Sequence, residues 1–312
     1  MSQNPDASRR AASTALGTLA ILFWASTIAL SRQVAQAIGP IGGAAAIYLV
    51  GGAAAVIFLL ARPAAFRAML RLPWRYLLGS GSLFVAYIVL LYWAVGHAAG
   101  GEQTVEIGLV NYLWPSLTIL FSIPVLGRRA QPTLWPGMGI ALAGVCLAVI
   151  DPARFSLPGL WKNLASNPVP YLCALAAAVV WGLYSNVSRL WAGAARHEGG
   201  AVPLFIAASG VALLVMRLSV AEPPATWSIG VIGEIIYMGL VPGLLAYLLW
   251  DRAVRRGHLI ALASLSYFLP LLSTIISCAL LGVPMRATLW VACGLLIAGA
   301  WLCSRSVKEQ GG

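Results

Sequence analysis

The chain is poor in charged and titratable side chains. Only 9% of its 312 residues are charged, and it has nine acidic residues and three histidines, whereas about a quarter of a soluble domain is charged. Too little polar surface is present to cover a soluble core of this size. The sequence also lacks an HExxH segment, a CxxC pair and an ATP-binding loop, so it predicts no catalytic residues, no metal, no cofactor and no direct ATP drive.

Cysteine is also scarce, and its positions carry no chemistry. All five cysteines lie inside apolar stretches without the spacing of metal ligands: Cys146, Cys173, Cys278, Cys293 and Cys303. We expect them to be small buried hydrophobic residues.

Long apolar stretches are what the chain does contain. Hydrophobic residues make up 60% of it and the mean hydropathy is +0.87. Stretches of roughly 20 residues, the length that spans a bilayer as a helix, recur throughout. They predict an all-α polytopic membrane protein with ten transmembrane helices, near 13–34, 41–61, 73–96, 103–126, 133–150, 168–190, 201–219, 228–250, 258–281 and 286–304. We expect the first stretch to be retained as a helix, because it is too long for a cleaved signal peptide.

The basic residues indicate the orientation of these helices. If the N-terminus is cytoplasmic, only Arg32, Arg154, Lys162, Arg217 and Arg286 lie on the opposite side, which leaves 15 of the 20 Lys and Arg residues on the cytoplasmic side. Cytoplasmic loops carry such an excess. Both termini are therefore predicted to be cytoplasmic. The net charge of +11 follows from this orientation, and no nucleic-acid partner is expected.

The two halves of the chain repeat one another at an offset of 155 positions. NYLWPSLTILFSIPVLG at 111–127 aligns with SYFLPLLSTIISCALLG at 266–282, so that Tyr112 meets Tyr267 and Pro115 meets Pro270. Each half has five predicted helices, and an odd number places the two copies in opposite orientations. Inverted repeats are typical of secondary transporters, whose substrate site lies near the midplane between the repeats.

The predicted organisation follows from the duplication. A cytoplasmic tail, a first five-helix repeat, an extracytoplasmic amphipathic connection, a second five-helix repeat and a second cytoplasmic tail occupy 1–12, 13–150, 151–167, 168–304 and 305–312. The central cavity is expected between the repeats.

The matched prolines predict bends in helices four and nine. Proline removes one N–H and pushes a helix to bend, which would free the carbonyls of Asn111 and Ser266. In hydrocarbon a free carbonyl is tolerated only against protein or a watery cavity. We therefore interpret Pro115 and Pro270 as hinges beside the substrate site, with packing kinks as the alternative.

Helices one and six carry a second matched pattern. Trp24 and Thr27 are three residues apart, as are Trp181 and Tyr184, so each pair shares one helical face. Aromatic rings with hydroxyls at a cavity would bind an amphipathic solute. The alternative is that the tryptophans pack between helices while the hydroxyls bond their own backbone.

Few acidic residues fall within the predicted helices. Glu106 and Glu234 lie near the outer edge with no obvious partner, and they either carry a coupling proton or line a vestibule. Asp251 adjoins Arg252 and is interpreted as a solvated loop residue.

Glycines mark close helix contacts in the prediction. Gly139, Gly144, Gly294, Gly299 and the Gly239–Gly243 pair are expected at packing positions.

The ten helices in two five-helix repeats, with a tryptophan early in each, resemble the EamA-type transporters of the drug/metabolite transporter superfamily. The segment EIGLVNYLWPSLT at 106–118 is similar to the YddG-type aromatic amino acid exporters of bacteria. The resemblance implies a place in the bacterial inner (plasma) membrane, a central cavity, bending of helices four and nine, and functional roles for Asn111, Tyr112, Trp114 and Pro115. By repeat symmetry it implies the same for Tyr267 and Pro270.

The hypothesis that follows is a secondary transporter that exports aromatic amino acids, other neutral amino acids and organic cations by alternating access. The alternative is export of another small metabolite or drug. An integral-membrane enzyme acting on lipid would need a cluster of titratable groups at membrane depth, which the sequence lacks. The expected partners are the small-molecule substrate and membrane lipid, and the expected state is a monomer.

Overall fold

The computed structural model describes residues 5–150, 156–192, 200–281 and 288–308. Within these ranges the chain is almost entirely helical. The α-helices are α1 (Pro5–Ala25), α2 (Thr27–Ile38), α3 (Pro40–Ala61), α4 (Pro63–Leu70), α5 (Gly81–Gly96), α6 (Gly101–Asn111), α7 (Trp114–Leu126), α8 (Leu134–Val149), α9 (Leu157–Ser166), α10 (Pro168–Ala192), α11 (Val202–Leu218), α12 (Ile229–Leu240), α13 (Ala246–Arg256), α14 (Leu259–Ser266), α15 (Leu269–Leu281) and α16 (Thr288–Ser306).

Two π-helical segments and two short strands complete the described elements. The π-helix π1 (Arg75–Ser80) runs into α5, and π2 (Val241–Leu245) joins α12 to α13. The strands β1 (Arg129–Ala130) and β2 (Val307–Lys308) pair antiparallel, with Arg129 opposite Lys308. The sequence analysis predicted no strand, and this pairing joins the α7–α8 loop to the end of α16.

Within the described ranges, six helical segments are long and apolar enough to cross a membrane, and two pairs of shorter helices, joined at bends of 48° and 42°, bring the number to eight. The bent pairs are α1–α2 and α14–α15. Two further apolar helices, α8 and α11, fall below the length of a full span. The fold is therefore that of a multi-pass membrane protein. The first helix begins at Pro5, eight residues before the predicted start of the first span.

The packing of the helices is paired across the two halves of the chain. The helix α3 packs along α11 and α8 along α16, so each of these four helices contacts its own repeat equivalent, and α7 packs against α14, the equivalent of α6. The remaining large contacts occur in equivalent couples: α5 with α10 and α1 with α13, then α7 with α10 and α1 with α15. This pattern is what a duplicated unit produces when its two copies assemble face to face.

Glycine permits the close approach of α8 and α16, but only at some predicted positions. A Cβ at Gly299 would lie 2.4 Å from the backbone nitrogen of Ala141, and one at Gly144 would lie 2.9 Å from Leu296. The predictions for Gly139 and Gly294 are wrong, because nothing lies within 4 Å of a Cβ at either position.

The glycine pair of α12 and π2 also lies at a close contact. A Cβ at Gly239 would lie 2.7 Å from the carbonyl of Ile47 on α3, and one at Gly243 would lie 2.6 Å from the carbonyl of Met238. The predicted helix contact therefore exists at Gly239, whereas the space at Gly243 is closed by its own helix.

Candidate functional site

Aromatic side chains from both halves of the described chain surround Trp181. Its ring centroid lies 4.5 Å from that of Tyr87, 5.0 Å from Tyr184, 5.7 Å from Tyr247 and 5.9 Å from Trp24. We call these rings and their neighbours the aromatic cluster: Trp24, Phe84, Tyr87, Trp114, Trp181, Tyr184, Tyr247 and Trp250. The first four belong to the first half of the chain and the last four to the second, so the cluster lies between the two repeats.

Helical spacing places the cluster residues on the inner faces of their helices. Trp181 and Tyr184 are three apart on α10, and Tyr247 and Trp250 are three apart on α13, so each pair projects from one face. Phe84 on α5 contacts both pairs, with centroids 5.4 Å from Tyr184 and 4.9 Å from Tyr247. The aromatic cluster thus combines rings from five helices, which are α1, α5, α7, α10 and α13.

Trp24 is fixed in the cluster by its indole nitrogen. Nε1 donates to the carbonyl oxygen of Pro242 at 3.1 Å, within π2. A π-helical segment shifts the register of helical hydrogen bonds and often occurs at functional sites. The side chain of Trp24 is half-buried.

Helices four and nine are interrupted at equivalent positions. The helix α6 ends at Asn111 and α7 begins at Trp114, while α14 ends at Ser266 and α15 begins at Leu269. Each break lies 155 residues from the other. Pro115 and Pro270 therefore fall in the first turn of a new helix, where the missing N–H of proline has no partner to lose.

The structure brings some of the predicted site residues together at the aromatic cluster. Trp24, Trp114, Trp181 and Tyr184 are members, and the side-chain amide of Asn111 lies beside the hydroxyl of Tyr87. The Oδ1 atom of Asn111 is buried without a hydrogen-bond partner.

Other predicted site residues lie elsewhere. The hydroxyl of Thr27 donates to the carbonyl of Trp24 at 2.7 Å, and that of Ser266 donates to Leu262 at 2.8 Å. These bonds match the alternative in which hydroxyls satisfy their own backbone. Tyr267 is fully buried, and its hydroxyl lies 2.5 Å from that of Ser116. Tyr112 is half-buried and packs against the buried apolar group that contains Tyr267.

The two acidic candidates differ in their surroundings. Glu106 is buried and does have partners, contrary to expectation: Tyr171 donates to its carboxylate, and Asn163 Nδ2 lies 3.2 Å from both oxygens. Glu106 thus joins α6 to α9 and α10. Glu234 is half-buried on α12, and its Oε2 atom has no hydrogen-bond partner.

The expectation for Asp251 is wrong. Its side chain is 1% exposed, and it forms an ion pair with Arg255, whose Nε and Nη2 both lie 2.8 Å from Oδ2. The hydroxyls of Tyr76 and Tyr184 donate to Oδ1 at 2.9 and 3.2 Å. Desolvation is tolerated here because four donor contacts surround the carboxylate. Asp251 lies in a helix, one residue beyond Trp250 of the cluster.

Four cluster residues were not predicted as site residues: Phe84, Tyr87, Tyr247 and Trp250. A signal for one of them was available, because Tyr247 is the repeat equivalent of Tyr92, and both rings lie near Tyr48 at 6.3 and 5.9 Å. The hydroxyls of Tyr48 and Tyr247 are 2.9 Å apart. No comparable signal marks Trp250.

The cysteines do not form a site in the part of the chain that the structure describes. Cys146 is exposed and Cys173 and Cys293 are half-buried, contrary to expectation, while Cys303 is buried. The side chain of Cys278 lies outside the described residues. No group of three or more His, Cys, Asp or Glu residues suited to a metal ion occurs within the described ranges.

Comparison with known proteins adds the relatives of the chain. Residues 13–150 and 169–305 each match the EamA-like transporter family. The chain is 33% identical over 297 residues to the aromatic amino acid exporter YddG of Salmonella typhimurium, across 95% of this chain and 98% of that protein. It is 34% identical over 300 residues to the aromatic amino acid exporter YddG of Ancylobacter novellus, across 93% and 96% respectively.

A solved crystal structure of a protein also resembles the fold, with a TM-score of 0.77 at 30% identity, across 94% of this chain and 98% of that one. The two family matches cover nearly the whole described chain and coincide with the two halves whose helices pack in equivalent pairs. The chain belongs to the EamA-like transporter family.

Proposed function

We propose that the protein is a secondary transporter that exports amino acids, aromatic ones included, from the cytoplasm. It is a multi-pass protein of the inner membrane and not an enzyme. The observation that carries the proposal is the aromatic cluster between the two halves, to which each half contributes four rings. Relatives named as aromatic amino acid exporters match over almost their full length, which supports the same substrate class here.

The substrate ring would stack within the aromatic cluster. Trp24, Trp114 and Trp181 offer indole faces, and an indole or phenyl ring packs on such faces at centroid distances of about 4.5–7 Å. Asn111 would supply a polar contact. Tyr184 would act through Asp251, to which it is bonded. Small neutral amino acids and organic cations would enter the same space with fewer ring contacts.

The other predicted residues would support the site from its edges. Tyr112 and Tyr267 lie at the two helix breaks, and we propose that they change surroundings when the breaks bend. Thr27 and Ser266 would hold the backbone near the site through the hydrogen bonds described above.

The proposed topology has ten transmembrane helices in two inverted repeats, with both termini cytoplasmic. In this proposal the six long segments, the two bent pairs, and the shorter helices α8 and α11 would each cross the membrane once, which gives ten crossings. The first repeat would be 13–150 and the second 168–304, joined by an extracytoplasmic connection at 151–167. Tails at 1–12 and 305–312 would face the cytoplasm, and α1 begins within the first of them, at Pro5.

Alternating access is the mechanism that this arrangement favours. Two inverted halves exchange their conformations when the cavity turns from one side to the other. The equivalent breaks before Pro115 and Pro270 lack a continuous hydrogen-bond ladder, so bending there would disturb few other contacts. We propose these two positions as the hinges.

The two glutamates would have different roles. Glu106 is held by Tyr171 and Asn163 and would fix the outer ends of α6, α9 and α10. Glu234 has an unpaired buried oxygen, which makes it the better candidate for a coupling proton.

Export of another small metabolite or drug is the second candidate. Aromatic faces bind planar rings of many kinds, including nucleobases, so the cluster alone does not select amino acids.

The test is counterflow into liposomes that contain the pure protein and unlabelled solute. Labelled Trp, Phe, Thr, Lys, Glu, a nucleobase and a sugar would be compared with protein-free vesicles. Uptake of Trp and Phe above that control supports the proposal. Uptake of the nucleobase or sugar with no amino acid signal would assign the second candidate instead.

A further inference from the structure

Two buried polar atoms at the aromatic cluster have no hydrogen-bond partner. One is the indole nitrogen Nε1 of Trp250, whose side chain is fully buried, and the other is Oδ1 of Asn111, which is 9% exposed. Unpaired buried polar atoms are rare in folded proteins and unfavourable in a membrane interior. Each therefore requires an explanation.

The two atoms are chemically complementary. An indole nitrogen only donates, and an amide oxygen only accepts. By contrast, the indole nitrogen of Trp24 already donates a hydrogen bond to the carbonyl of Pro242. A serine hydroxyl can rotate toward its own helix backbone, but the N–H of Trp250 is fixed by its ring and has no such alternative.

Trp250 adjoins Trp181 directly, and Asn111 is linked to Trp181 through Tyr87. The ring of Trp250 lies 6.2 Å from Trp181 and 5.5 Å from Trp114. Asn111 lies beside the hydroxyl of Tyr87, whose ring is 4.5 Å from Trp181. Asn111 is also the last residue of α6, immediately before the break. Because Pro115 has no N–H, the backbone carbonyl of Asn111 lacks its usual helical donor.

We infer that Trp250 and Asn111 recognise the two charged groups of a free amino acid. The α-carboxylate would accept a hydrogen bond from Nε1 of Trp250, and the α-ammonium would donate to Oδ1 of Asn111, while the aromatic side chain packs on Trp181. This inference rests on the proposed function and names what the site selects: a zwitterion, in preference to an amine or an acid that carries the same ring.

Three ligands that share an indole ring separate the two contacts. Tryptophan has both charged groups, tryptamine lacks the carboxylate, and indole-3-propionate lacks the ammonium. Uptake into liposomes would be measured for each with the unaltered protein, Trp250→Phe and Asn111→Leu. Trp290→Phe is the matched control, because Trp290 is 75% exposed and lies on α16, which packs mainly against α8 and contributes no ring to the aromatic cluster.

The unaltered protein should have a KM for tryptophan about ten-fold below that for either analogue, since each analogue leaves one buried group unpaired. Trp250→Phe should raise the KM for tryptophan and indole-3-propionate about ten-fold and leave tryptamine unchanged. Asn111→Leu should raise it for tryptophan and tryptamine and leave indole-3-propionate unchanged. Trp290→Phe should alter none of them.

Two results would overturn the inference while the proposed function stands. In the first, the unaltered protein takes up tryptophan and tryptamine with equal KM, a comparison that needs no variant to fold. In the second, both variants lose all three ligands equally, which would make the two residues structural. Absence of tryptophan uptake by the unaltered protein would overturn the proposed function, and this inference with it.

Discussion

Tyr184 and Asp251 join two helices from one half of the chain beneath the aromatic cluster. The hydroxyl of Tyr184 on α10 donates to Oδ1 of Asp251 on α13 at 3.2 Å, while its ring stacks on Trp181 with centroids 5.0 Å apart. One side chain thus contacts both the candidate site and a buried ion pair. The conformation of the site and the state of that ion pair are therefore mechanically linked.

Loss of the Asp251 carboxylate should destabilise the protein strongly. Asp251→Asn removes the carboxylate that binds the guanidinium of Arg255, which is 2% exposed, and loss of one member of a buried ion pair costs about 3–5 kcal/mol. The melting temperature in detergent should fall well below that of Glu102→Asn, whose parent side chain is exposed. The double variant Asp251→Asn/Arg255→Met should recover part of the loss. Equal melting of the two single variants would show that the ion pair contributes nothing.

Removal of a cluster indole should affect aromatic substrates more than small ones. Trp24→Ala and Trp181→Ala each delete ring contacts worth about 0.5–1.5 kcal/mol apiece, so the KM for tryptophan should rise about ten-fold. The KM for threonine should change about two-fold or less. Trp135→Ala, at an exposed position, is the control. An equal change for tryptophan and threonine would contradict stacking.

The two prolines at the helix breaks should govern the rate of transport. Pro115→Ala and Pro270→Ala each restore a backbone N–H and favour a continuous helix, so the maximal counterflow rate should fall about ten-fold while substrate binding changes little. Pro124→Ala is a matched control, since Pro124 is exposed within the same α7. Normal rates in both break variants would rule out hinging there.

Two glycines on one helix should respond oppositely to a single methyl group. Gly299→Ala places a Cβ 2.4 Å from the backbone of Ala141 and should lower stability by about 1–3 kcal/mol, since overpacked contacts force the helices apart. Gly294→Ala meets nothing within 4 Å and should leave stability unchanged or raise it slightly. Thermal unfolding of the two purified variants checks this, and equal shifts would contradict the described α8–α16 contact.

The sequence predicted best what the duplication encodes. Because the offset of 155 aligns Pro115 with Pro270, the interruption of helices four and nine at the same repeat position was accessible before any coordinates. Trp24 and Trp181, which are 157 positions apart, were matched by the same repeat near the start of each half. Repeat symmetry is informative here because equivalent residues of the two halves occupy similar surroundings.

Contacts between residues that are distant in the sequence and have no counterpart in the repeat were missed. Asp251 was interpreted as solvated because Arg252 follows it, yet its partners Tyr76 and Tyr184 lie 175 and 67 residues away. No local pattern reports such contacts. Gly139 and Gly294 failed for a related reason, since spacing on a helix does not reveal which face meets another helix and which faces lipid.

The partnership of α8 and α16 has a consequence for synthesis of the protein. The helix α8 ends at Val149, and its main neighbour begins only at Thr288. At about 5–20 residues per second, a ribosome needs roughly 7–30 s to make the intervening chain. Throughout that interval the small-residue face of α8 around Gly144 is in contact with lipid or with the insertion machinery. A fragment that stops after the first repeat would keep that face unpaired, so final assembly begins only when the last helix has left the ribosome.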